Sequence, residues 1–187
     1  WSRRSWRHLL LLVAVVAGLA GERQEHVVER RLADAQVLDG DTGIARIAFN
    51  RPEVLNAIDI PTAQVFRDAV LRVTSLPGLR CVVLSGTGRA FVAGGDVASF
   101  QVEPAKVVDA LLDALHPAVL ALRACPAPVL AVVQGAAAGA GLSLALASDY
   151  LLAGDKARFV IAYDRSGAPP DCGGTWFLPR KGGRGRA

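Results

Sequence analysis
The run CPAPVLAVVQGAAAGAGLSLALASDY, from Cys125 to Tyr150, joins an apolar strand to a turn made almost entirely of glycine and alanine, and then to an apolar helix. A turn without bulky side chains can bring its bare main-chain amides close to another molecule. Val129 to Val133 is short, β-branched and apolar, with prolines just before it and Gln134 and Gly135 just after, which suits a buried strand. Gly135, Gly139 and Gly141 then alternate with alanines, and Leu142 to Leu152 reads as a helix. The start of such a helix presents unpaired N–H groups and the positive end of its dipole, a place for an anion or an incipient oxyanion. Tight packing of a small-residue helix on a sheet accounts for the same composition.

A second segment has the same design. RCVVLS, Arg80 to Ser85, reads as a buried strand and runs into GTGRAFVAGGDVASF, where Gly94 and Gly95 precede Asp96 and a new helical start. Each strand-to-glycine turn can offer one amide, and two converging amides are the minimum that stabilises a carbonyl oxygen gaining negative charge. Asp96 suits a helix N-cap.

Four segments together resemble the crotonase superfamily, the enoyl-CoA hydratase and isomerase group. IARIAFNRPEVLNAID (44–59) resembles its first strand and acyl-CoA loop, AFVAGGDV its first oxyanion segment, QGAAAGAGLSLALASDYLLAGDKARF its second, and GAPPDCGGTWFLPR (167–180) the segment that follows. They cover residues 27–180 in the family's order and spacing. The resemblance implies an α/β crotonase fold of repeated strand-strand-helix units, here truncated in its C-terminal helical part. It implies an acyl-CoA thioester whose carbonyl oxygen lies between the amides of Gly95 and Ala140. Substrate contacts are expected along Ala57, Ala93, Gly94, Gly95, Asp96, Ala140 and Gly141. Coenzyme A enters as part of the substrate, with no other cofactor, and a full-length relative is expected to be a homotrimer or hexamer in the cytoplasm.

The reaction depends on acid and base groups. Hydratases of this family carry two glutamates, and the matching positions here hold Ser143 and Tyr163. Hydration requires both activation of a water and protonation of carbon, work usually shared by two carboxyl groups, so those residues disfavour a hydratase. Asp171 matches the acid/base aspartate of several isomerases in the family, and one carboxylate suffices to move a proton between two carbons. The string PDCGGTWFLPR most resembles the phenylacetate-pathway isomerases, which act on a ring epoxide or shift a double bond. As a plain structural residue, Asp171 between two prolines and two glycines is a turn former. Asp164 and Tyr163 read as loop residues, with Tyr163 able to donate a hydrogen bond.

Two function classes follow: an isomerase of acyl-CoA thioesters, with Asp171 as proton shuttle, or a catalytically silent acyl-CoA-binding fragment. A Rossmann domain is excluded, because no GxGxxG with a later acidic partner follows the first strand. Much of the net charge of +4 sits at the two ends, in WSRRSWRH and RKGGRGRA, rather than on one basic and aromatic surface, which disfavours nucleic-acid binding. Arg51 and Arg89 flank the matched loops and are candidates for the anionic coenzyme. Cys81, Cys125 and Cys172 lack metal-ligand spacing and read as reduced thiols, with packing as the role of Cys172. His116, on an amphipathic stretch from Val107 to Leu122, reads as a structural histidine in a packed helix. Residues 1–26 divide from a core domain over 27–187. Basic Trp1–Arg7 and the apolar run Leu9–Ala20 resemble an export leader, at odds with a cytoplasmic family, and that run is too short to span a bilayer. An exported binding protein is therefore a distant third reading.

Overall fold
The computed structural model describes residues 34–39, 42–101, 103–163 and 168–185. These belong to the unit Arg31–Ala187. The leader-like segment, His8, His26 and Asp164 lie outside the described residues.

The elements follow in the order β1 (Asp34–Asp39), β2 (Ile44–Phe49), α1 (Ile60–Thr74), β3 (Cys81–Gly86), β4 (Ala90–Val92), α2 (Pro104–Ala124), β5 (Val129–Val133), β6 (Ala136–Ala138), α3 (Ala140–Ala147), β7 (Tyr150–Ala153), β8 (Arg158–Val160) and α4 (Gly174–Gly182). β5 has the bounds expected from sequence, and β3 lies one residue further on than expected. Short 3-10 turns cover Pro52–Val54 and Val97–Gln101. The second is the helical start expected after Asp96, whose carboxylate accepts from the Ala98 N–H at 3.3 Å.

The strands form two sheets, one ordered β1-β2-β3-β5-β7 and one ordered β4-β6-β8. Only β1 runs antiparallel to its neighbour. β2 alternates half-buried and buried positions, whereas Cys81 to Leu84 of β3 are buried without a break, as a strand covered on both faces should be. The chain switches sheet within each repeat: β3, β5 and β7 enter the larger sheet, and β4, β6 and β8, which follow them, enter the smaller. A helix closes each unit, giving β3–β4–α2, β5–β6–α3 and β7–β8–α4. This is the arrangement of strand-strand-helix repeats that the resemblance implied. Because β4, β6 and β8 are parallel neighbours, their C-terminal ends lie side by side. Residues 93–95, 139–140 and 161–163 are therefore delivered to one edge.

The core is centred on Phe49, Phe66 and Phe91, all essentially buried. Phe49 stacks on Phe66 with ring centroids 4.9 Å apart and meets Phe91 edge-on at 6.2 Å. α1 starts where Asp59 accepts from the Thr62 N–H at 2.9 Å, with a proline in its first turn.

Two sequence expectations are corrected. The helix expected over 142–152 ends at Ala147, because Ser148 turns its hydroxyl back to the Ala145 carbonyl and the Asp149 N–H goes to the Val129 carbonyl. Tyr150 to Ala153 then pair with Leu130 to Val133, so apolar residues on both sides of Ser148-Asp149 masked a switch from helix to strand. His116 is exposed: α2 buries Leu111, Ala114, Leu115, Ala118, Val119 and Leu122 on the other face. Among the described residues, no helix is long and apolar enough to cross a membrane.

Candidate functional site
The first glycine turn leaves β4 and is held by the loop before α1. Ile58 donates its N–H to the Gly94 carbonyl at 2.8 Å and accepts from the Asp96 N–H at 2.9 Å. In such a parallel bridge the central residue, Gly95, turns its own N–H away from the partner. Gly94 has φ +106°, open to glycine and strained for any other residue. The second turn leaves β6 through Gly139, at φ 51° and ψ −123°, and Ala140 becomes the first residue of α3. Its N–H, in the first helical turn, has no acceptor within the helix.

The two turns touch. A Cβ on Gly139 would lie 3.9 Å from the Gly94 Cα, and one on Gly94 would lie 3.2 Å from the Ala138 carbonyl oxygen. The third strand end brings Tyr163 to the same place, its Cζ also 3.9 Å from the Gly139 Cβ position. Gly95 and Ala140 are thus on adjacent turns, with Tyr163 alongside.

Tyr163 links this edge to Asp171. Its hydroxyl donates to Asp171 Oδ1 at 2.5 Å and lies 3.3 Å from the Ser143 hydroxyl. Burial, together with the hydrogen bond and charge of Asp171, pushes the phenol well above its usual range, so it remains a proton donor at neutral pH. Asp171 stands in a tight turn: its carbonyl accepts from the Gly174 N–H at 2.9 Å, and Cys172 and Gly173 are both left-handed. The turn-forming reading of Asp171 thus holds, and its carboxylate is bound by the Tyr163 hydroxyl. Cys172 is 1% exposed within the core, as packing required, and burial with the Asp171 charge pushes its thiol up, leaving it unreactive.

Beside these hydroxyls, a cavity of about 290 Å³ lies between α3 and α4, lined by Leu142, Leu146, Ile161, Pro170, Leu178 and Pro179 together with Ser143, Tyr163, Gly174 and Thr175. An apolar wall with a few polar groups at one end suits the hydrocarbon part of a ligand whose head is polar. The cavity depends on how α4 docks. Lys181 donates to the carbonyls of Ser148 at 2.5 Å and Asp149 at 3.2 Å, and the Arg123 guanidinium lies 5.8 Å from the Phe177 ring centre.

Most of the remaining predicted residues have packing or pairing partners of their own. Asp96 sits 3.3 Å from Arg51, which also pairs with Asp59 at 3.0 Å and donates to the Ala57 carbonyl at 2.7 Å. Arg51 is thus a half-buried brace between the 51–59 loop and the first glycine turn, where sequence suggested exposed charge. Arg89 is exposed. Ala93 donates its N–H to Leu55. Gly141 is pressed on β4: a Cβ there would come 2.1 Å from the Val92 carbonyl oxygen.

A sequence model of the family described as enoyl-CoA hydratase/isomerase matches residues 39–187. The chain belongs to the enoyl-CoA hydratase/isomerase family. A Rhodobacter capsulatus protein named "Probable enoyl-CoA hydratase" is 43% identical over 145 residues, covering 78% of this chain and 56% of that protein. The 1,2-epoxyphenylacetyl-CoA isomerase of Escherichia coli is 38% identical over 151 residues, covering 79% and 58%. A solved enoyl-CoA hydratase from Mycobacterium avium subsp. paratuberculosis superposes with a TM-score of 0.73 at 32% identity, covering 87% of this chain and 62% of that one. The chain thus spans somewhat more than half the length of the curated relatives it matches.

Within this family member, three residues carry more than their sequence suggested. Tyr163 read as a loop residue because the contact to Asp171 is made by folding, eight positions along the chain. Asn56 is 1% exposed and left-handed at φ 58°, accepts from the Arg51 N–H and donates to the carbonyls of Thr87 and Ala90. Its signal was modest: asparagine is the non-glycine residue most at ease in that conformation. Gln134 donates to the carbonyls of Gly86, Gly88 and Ala90, and nothing in the sequence marks that role.

Proposed function
We propose that this chain carries the site of an acyl-CoA isomerase. The observation that supports this most is the single carboxylate: among the described residues the cavity lining presents hydroxyls from Ser143 and Tyr163, and Asp171 stands directly behind Tyr163. In this reading the thioester oxygen takes hydrogen bonds from Gly95 and Ala140, and the acyl chain enters the apolar cavity. Polarisation acidifies the carbon beside the carbonyl, and the Asp171 carboxylate takes its proton. The electron pair moves along the chain, and the carboxyl group returns the proton to a carbon further out. No water is consumed, and Asp171 ends as a carboxylate. A ring-epoxide substrate opens and rearranges through the same polarised thioester. Loss of one such oxyanion donor costs about 3 to 4 kcal/mol of barrier in comparable chemistry, so the two turns account for much of the rate. Trimeric or hexameric assembly and a cytoplasmic location belong to the same proposal.

The test uses a 3-enoyl-CoA in heavy water, with double-bond migration and deuterium uptake followed by mass spectrometry. Asp171→Asn is expected to lower both by at least about a hundredfold, the usual contribution of a positioned acid/base, while acyl-CoA binding stays within a few-fold. Migration that persists at near-parent rate in this variant removes Asp171 from the role. Water addition without migration would place the chain with the hydratases, and binding without uptake would leave a recognition module.

A further inference from the structure
We propose that Tyr163 is a positioning residue for proton transfer: its hydroxyl, steered by Ser143, holds the Asp171 carboxylate in one orientation. This rests on the reading of Asp171 as the proton shuttle.

The backbone aims the phenol. Immediately after β8, Ala162 adopts φ 60° and the Tyr163 N–H closes back on the Ile161 carbonyl at 2.8 Å, a tight reversal that a non-glycine residue adopts only under constraint from its surroundings. The ring lies beside Gly139, its Cζ 3.9 Å from where a Cβ there would sit. The phenol thus stands near Gly139 and bonds Asp171 through its hydroxyl. A phenol has one proton to give, and here it goes to the carboxylate at 2.5 Å, leaving the oxygen lone pairs to accept from Ser143 at 3.3 Å. Ser143 is 1% exposed in an entirely buried helix. A hydrogen bond from a neutral donor to a carboxylate is strong and directional, and stops the carboxylate from turning about its own axis. A base that must take a proton from one carbon and return it to another needs such an orientation, because misplacement by about 1 Å can cost a hundredfold.

A purely structural tyrosine would satisfy Ser143 and leave chemistry alone, and a double-mutant cycle separates the two roles. Tyr163→Phe, Asp171→Asn and the double variant are compared in the full chain by deuterium uptake into the 3-enoyl-CoA, together with KM and the melting temperature. Tyr163→Phe is expected to lower kcat by about tenfold to a hundredfold, the worth of a hydrogen bond to a charged group, with KM within twofold. In the Asp171→Asn background it should cost nothing further, since a residue acting through Asp171 has nothing left to act on. Ser143→Ala gives an independent reading: a smaller loss in kcat that vanishes when Tyr163 is already phenylalanine. A kcat within twofold of the parent in Tyr163→Phe, or an equal factor in both backgrounds, overturns the positioning role and leaves the shuttle standing. Undiminished uptake in Asp171→Asn, or no uptake by the parent chain, overturns the shuttle and the positioning role with it.

Discussion
Gly135 lies where the chain leaves one sheet for the other, and it has no room for a side chain: a Cβ would fall 1.9 Å from the Arg89 carbonyl oxygen. That carbonyl cannot easily retreat, because Gln134 binds the carbonyls of Gly86, Gly88 and Ala90 on either side of it. Gly135→Ala is therefore expected to cost about 3 kcal/mol or more in urea unfolding, as overpacking against fixed backbone does. Gly182, at the end of α4 with nothing within 4 Å of its Cβ position, is the control, and its alanine variant should be neutral or slightly stabilising. A composition count cannot tell these glycines apart. The sequence marks where glycine is used, and only the neighbouring strand shows which of them has no substitute.

At the scale of elements, α2 contains a proline well inside its span, at Pro117, on the exposed side of a helix that runs unbroken from Pro104 to Ala124. Proline removes a helical N–H and crowds the preceding turn, at a cost near 3 kcal/mol in a helix interior. The buried stripe from Leu111 to Leu122 overrides that cost, and for the same reason the 3.6-residue spacing was readable despite the proline. Pro117→Ala should raise the unfolding free energy by about 1 to 3 kcal/mol, measured by urea denaturation, and an unchanged value would mean that the helix has already relaxed around the proline. α3 shows the opposite limit. All eight of its residues are buried, so it has no polar face and no periodicity to mark its end. Polar Ser148 and Asp149 follow it, and the boundary at Ala147 is set by the Ser148 hydroxyl turning back to Ala145, by the Asp149 N–H bond to Val129 and by pairing with β5. The Ser148-Asp149 pair was the local signal for that boundary, outweighed in the sequence reading by the apolar residues on either side.

For the whole molecule, burial of thiol and phenol protons makes stability fall on the alkaline side. Cys81 is pushed from 9.0 to about 11, first by burial and then by the charges of Asp149 and Cys125, and Cys172 and Tyr163 are raised as well. Their folded pKa values exceed the unfolded ones, so this stability is fully present below pH 9 and is lost as pH rises through about 11, when the unfolded chain releases protons that the folded chain retains. Unfolding free energies measured between pH 8 and 11 should decline from about pH 9, with a shallower decline in Cys81→Ala. An identical pH slope in that variant would exclude Cys81 as a source. By itself, the sequence determined the strand-to-glycine turns, the family and the turn at Asp171, because these depend on local chemistry: β-branched runs, residues that tolerate unusual backbone angles, and motif order. Tertiary structure alone decided that the turns after β4, β6 and β8 share one edge, that Arg51 braces the first turn, and that Tyr163 binds Asp171. Those contacts depend on parallel pairing between strands far apart in the chain, whose geometry no local window of residues contains.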